Sequence, residues 1–148
     1  MHTIIIPQNL DTREVVAVCG SWEDAENFNI FLRALQTPEF TSKYVTAVFS
    51  FGALEHDDSR INELDMVSCV ERINPSAIFV FSEMIHNKEI VEGLIDVSSA
   101  KDIPLVMLEN RSDKAINVVC DYDGAFEEIV RHMIEHHGYK DINMFAGS

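Results

Sequence analysis

The segment INVVCDYDGAFEEIVRHMIEHHGYKDINMF (residues 116–145) opens on Asp121 and Asp123 and closes on His132, His136 and His137. His132 and His136 stand four residues apart, so on a helix they share a face and could clamp one metal ion. A third ligand is not evident nearby, and imidazoles at a helix C-terminus are favoured by the helix dipole with no metal present. The pattern reads as solvated or capping histidines, with no metal site. Cys19, Cys69 and Cys120 form an odd, widely spaced set, each in an apolar run. They read as buried thiols of a reducing compartment.

Enzyme signatures are missing. The sequence contains no GxGxxG after its first apolar run, no GxxxxGK[ST], no GxSxG and no HExxH. Gly20 is followed by Ser-Trp-Glu, and a carboxylate there would oppose a phosphate. Glu23 and Asp24 could mimic the paired acids of a phosphoacceptor receiver domain, but FVFSEMI supplies no aspartate after the third strand. No catalytic residue and no cofactor is expected.

The elements that would position any site follow from hydrophobic patterning. The runs 14–20, 44–51, 76–82, 103–109, 116–120 and 142–147 are apolar, rich in β-branched residues and nearly continuous rather than alternating. Strands covered on both faces have that pattern. Amphipathic segments separate them at 22–36, 59–74, 87–102 and 123–138. The first places Phe28, Phe31, Leu32 and Leu35 on one face, and the last places Phe126, Ile129, Val130, Met133 and Ile134 inward and stops at Gly138. Ser59 suits an N-cap for the second. The alternation predicts a doubly wound α/β fold with a parallel sheet and right-handed crossovers.

In such sheets ligands bind beyond the carboxyl ends of the strands. The loops there offer Trp22 and Phe51 as aromatic surfaces, Ser21 and Ser82 as hydroxyls, Glu83 and Glu109 as carboxylates, and the amide of Asn110. Asp121 follows the fifth strand. An apolar surface with a few fixed polar groups suits a small polar ligand. The 25 acidic residues against 11 basic ones give a formal charge of -14, which repels phosphate backbones and anionic lipid, so direct nucleic-acid or membrane binding is not expected. The opening MHTIIIPQNLDTREVV has neither a basic leader nor an apolar stretch long enough for a signal or membrane helix, which predicts a cytoplasmic location.

KDIPLVMLEN followed by INVVCDYDGAFEEIVRHMIEHHGYKDINMFAGS resembles the effector domain of the lactose/galactose-repressor family, itself similar to periplasmic sugar-binding proteins of the first class. The matching residues are Ile103-Pro104, Asp121 with Gly124, His132-Met133, Gly138-Tyr139 and Ile142 to Gly147. The resemblance implies two α/β lobes that close on a small molecule, often a sugar or a purine, with first lobes pairing side by side in a homodimer. By that reading residues 1–12 are an N-terminal extension, 13–119 the first lobe, and 120–148 a hinge crossing with the start of the second lobe. Glu109-Asn110 stands where the family has Asp-Arg, and Tyr122 where it has Asn, which departs from the family's grip on a monosaccharide. Similar DYDGAFEEIVRHMIEHHG runs resemble those of bacterial signalling proteins with a C-terminal diguanylate cyclase (GGDEF) or DNA-binding output domain. The alternative is a degenerate sensor that binds nothing and serves as a dimerisation scaffold.

Overall fold

A computed structural model describes residues 12–21, 25–51 and 61–145. Along the chain run β1 (Glu14–Gly20), α1 (Ala25–Ala34), α2 (Pro38–Thr41), β2 (Tyr44–Ser50), α3 (Ile61–Ile73), β3 (Ala77–Phe81), a single 3-10 turn (Ser82–Met84), α4 (Lys88–Lys101), β4 (Leu105–Leu108), β5 (Ile116–Val118) and α5 (Tyr122–Glu135). The chain divides into two compact units, one ending at Val118 and one beginning at Val119.

The first unit holds one sheet in the order β2-β1-β3-β4-β5, and every pair in it is parallel. Side chains alternate across a strand, so β1 sends Ala17 and Cys19 into one core and Val18 into another. Val67 and Val70 of α3 with Ile90 and Leu94 of α4 cover the first face, over Ile78 and Val80 of β3. Phe28 of α1 covers the second with Phe81 and Met84, and Phe28 meets Phe81 edge-to-face at 5.2 Å. Both faces of the central strands are therefore apolar, which is why the sequence runs are continuous.

Gly20 is required by that packing. A Cβ built there would lie 2.7 Å from Cε2 of Phe28, so the ring uses the space a side chain would occupy. Phe31 joins the same aromatic cluster, its ring packing on Phe79 at 5.3 Å and Phe81 at 5.2 Å. Ile30, by contrast, is 60% exposed. Cys69 and Cys120 are exposed rather than buried. On α3 the inward positions are Val67 and Val70, and Cys69 falls between them on the outer side.

α4 begins at Asn87, whose side chain accepts from the Glu89 N–H at 3.0 Å. It ends at Asp102, which adopts a left-handed conformation with φ 54° and ψ 39°. Glycine takes that conformation without a Cβ penalty. Asp102→Gly is expected to raise unfolding stability by up to about 1 kcal/mol, read as a higher urea midpoint at unchanged slope.

β4 and β5 are parallel although only residues 109–115 join them, with no helix between. Two features make this short return work. Glu109 has φ 78° and turns the chain sharply at the tip of β4. Asn117 then pins the loop: its amide nitrogen donates to Ser112 O at 2.9 Å and Ala115 O at 3.2 Å, and its Oδ1 accepts from Ser112 N at 2.8 Å.

In the second unit α5 is capped by Asp121 and runs to Glu135. Gly138 follows with φ 66°, its N–H bonded to Ile134 O at 3.1 Å, while Tyr139 N bonds Met133 O at 3.2 Å. The sixth strand expected at 142–147 is not found over residues 142–145, and 146–147 lie outside the described residues. A strand needs a neighbour's backbone groups to form a ladder, and among the described residues none pairs with these. The N-cap expected at Ser59 also lies outside the described residues.

Candidate ligand-binding rim

All five strands being parallel, their carboxyl ends lie along one edge. The order reverses direction between β1 and β3, since the chain passes from β1 outward to β2 and then returns to the other side of β1. That junction is the topological switch point, with α1 on one face of the sheet and α4 on the other, and in open α/β sheets ligands bind at such junctions.

The register sets the residues of this rim side by side. Gly20 pairs with Ser50, and Phe51 N–H donates to Gly20 O at 2.8 Å, which puts Phe51 level with Ser21. Cys19 pairs with Val80, so Ser21 and Ser82 are level across the switch point. Phe81 pairs with Leu108, which brings Ser82 level with Glu109. Ser21 and Ser82 are buried, and the Ser82 hydroxyl donates to Leu108 O at 3.0 Å, tying the tip of β3 to that of β4.

Glu83 and Asn110 are exposed beside these tips, and Glu109 is half-buried with its N–H donating to Val118 O at 2.9 Å. The backbone bond and the left-handed φ hold Glu109 at a fixed point of the rim rather than on a swinging loop. Phe51 does not offer its ring as a ligand surface. It is fully buried in the core beneath α3 and α4, because its backbone continues the β2 ladder and its side chain follows the pleat inward. Asp121 serves as the N-cap of α5, its Oδ1 accepting from Gly124 N at 3.0 Å, and belongs to the second unit. Trp22 lies outside the described residues.

Ser50 is not among the residues that the loops nominate. Its Oγ is buried at the tip of β2, opposite Gly20 in register, and has no hydrogen-bond partner among the described residues. Such a group costs about 1 to 3 kcal/mol of desolvation, so it is rare in folded proteins. The sequence signal was slight: a hydroxyl as the last residue of an otherwise apolar strand.

A groove of about 390 Å³ lies on the opposite edge of the sheet, at the amino ends of β4 and β5, lined by Ser98, Asp102, Pro104, Asp113, Lys114 and Ile116 among others. Its buried hydroxyl, Ser98 Oγ, is already bonded to Ile103 O at 2.7 Å and ties down the end of α4. Among the described residues no group of three or more histidine, cysteine, aspartate or glutamate side chains is arranged to hold a metal ion, and no helix is long and apolar enough to cross a membrane.

An all-parallel sheet of this order, with helices on both faces and its tips on one rim, is the fold of an effector-domain lobe of the lactose/galactose-repressor type. The trehalose repressor from Escherichia coli shares it, with a TM-score of 0.55 over 86% of this chain at 15% sequence identity. The matched region makes up 45% of that repressor chain, so the present chain spans less than half of its length. No family model and no curated protein matches the sequence.

Proposed function

We propose that this chain supplies the first lobe of a small-molecule sensor in a bacterial regulator of cytoplasmic type, and that it is not itself an enzyme. The observation that carries this reading is the level row of Ser21, Ser82 and Glu109 across the switch point, on a fold shared with a repressor. The unpartnered Ser50 hydroxyl adds a buried polar group at the same edge of the sheet. Ser21, Trp22, Ser82, Glu83, Glu109 and Asn110 are the residues from which a polar effector, a sugar or a nucleoside, would take hydrogen bonds and stacking. A second lobe closes over them, and the ligand acts by stabilising the closed arrangement. The changed lobe geometry then biases an output domain, a diguanylate cyclase or a DNA-binding domain. Two first lobes would pair through α1, with Ile30 exposed, and α3, with Leu64 exposed, which lie on opposite faces of the sheet and flank its β2 edge.

Burial of Phe51 favours a second reading, a dimerisation scaffold with no ligand, since it removes one of the aromatic surfaces a sugar would stack on. Thermal shift of the protein extended through both lobes, against sugars, nucleosides and amino acids, separates the two. A true effector at a hundred times its Kd stabilises by about 2.7 kcal/mol, and Ser82→Ala or Glu109→Ala should reduce that shift. A uniformly flat response across the panel would leave the scaffold.

A further inference from the structure

The end of α5 carries a histidine pair that neither the fold nor the rim uses. Nε2 of His137 lies 3.2 Å from Nε2 of His132, with ring centroids 5.0 Å apart and ring planes at 74°. The pair is five residues apart, not four. The helix stops at Glu135, and the turn through His136 and Gly138 brings His137 back over the last helical turn. Tyr139 stacks on the His137 ring at 5.6 Å and 18°, which fixes its orientation.

Two arrangements could bring two imidazole nitrogens this close. A straight N–H···N hydrogen bond of that length places the ring centroids about 5.5 Å apart, because both rings extend along the bond axis. Two imidazoles sharing one tetrahedral ion at about 2.05 Å have nitrogens about 3.3 Å apart and centroids about 5 Å apart, because their axes converge on the ion. The observed centroid distance of 5.0 Å matches the convergent arrangement, and a hydrogen bond between the same nitrogens would have to be bent well away from the straight geometry it prefers. Square-planar coordination, preferred by Cu²⁺ and Ni²⁺, would draw the nitrogens to about 2.8 Å, closer than they are.

From this geometry we infer that His132 and His137 form a two-nitrogen chelate for a tetrahedral divalent ion, Zn²⁺, at the C-terminal end of α5. The two remaining coordination positions are open to water. His136 is not part of the chelate: its ring lies alongside that of His132, with centroids 4.8 Å apart and planes tilted by only 32°. The site is exposed, so binding requires no rearrangement of a core.

Titrating ZnCl₂ into the chain while following imidazole nitrogen resonances by NMR tests the inference. The expected result is saturable one-to-one binding with the largest changes at Nε2 of His132 and His137, and no response to MgCl₂, which prefers oxygen ligands. His132→Gln and His137→Gln should each weaken binding by at least about tenfold, and His136→Gln by less than about threefold. All three positions are exposed, so a thermal midpoint within error of the parent confirms that each variant is folded. No saturation below about 1 mM zinc, or an equal loss from His136→Gln, overturns the chelate.

Discussion

Phe28→Ala is expected to lower unfolding stability by about 3 to 5 kcal/mol, measured as the urea midpoint multiplied by the unfolding slope. Phe28 is the residue that fastens α1 to the sheet: it is fully buried, meets Phe81 edge-to-face at 5.2 Å, and stands in the space that Gly20 leaves open. Truncation removes the ring and leaves a cavity that β1 cannot collapse into, because β1 is held by β2 on one side and β3 on the other. Gly20→Ala supplies the matching test. In the parent its new methyl meets Phe28 Cε2 at 2.7 Å and must displace a packed ring, whereas in the Phe28→Ala background that atom is gone. Gly20→Ala should therefore cost about 1 to 3 kcal/mol alone and much less in the double variant, a coupling that a double-mutant cycle reads directly. Additive losses would mean that the ring and the glycine do not share one space.

Alkali should unfold this protein in a way that one thiol controls. Cys19 sits fully buried near the carboxyl end of β1, and burial pushes its thiol up from 9.0 to about 12. Below pH 9 the thiol is protonated in both the folded and the unfolded chain, so stability is unaffected. Between pH 9 and about 12 the unfolded chain loses this proton while the folded chain retains it, and stability falls as pH rises. The slope is about 1.4 kcal/mol per pH unit, or roughly 4 kcal/mol across the window. The measurement is the difference in slope between the parent and Cys19→Ala, which removes this thiol and leaves every other group in place. Parallel slopes would exclude Cys19 as the cause.

Much of the fold is legible in the sequence, and for one physical reason. Residues such as Val16 to Cys19 and Ile78 to Phe81 lie under helices on both faces, so every position along them must be apolar or small, and a continuous run marks the strand. Helix α2 is legible too, between the first amphipathic segment and the second apolar run. Thr37 caps it, with Oγ1 accepting from Phe40 N at 3.3 Å, and Pro38 opens it, which is a helix start signal. The fate of Phe51 was not legible, because a single aromatic at the end of a strand carries no period to say which way it turns. The histidine geometry was hidden for a related reason. Spacing along an ideal helix pairs His132 with His136, and only the point at which the helix stops decides that His137 returns instead. At the rim, sequence located the strand tips but not their levels, since register comes from backbone pairing.

A sheet with no antiparallel pair contains no hairpin, so none of its strand pairs can form from a local turn. β1 is an interior strand between β2 and β3, and its pairing with β2 sets Glu14 against Tyr44 while its pairing with β3 sets Val16 against Ala77. During synthesis β1 therefore waits, unpaired on one side, until β3 has been made. Assembly should be slow for the same reason that the native sheet is well covered: three of its four strand pairings span a helix before any contact rewards them. Conditions that hasten collapse should then favour aggregation through β1 over productive folding, and a chaperone that shelters the nascent chain until α3 and β3 emerge would raise the yield.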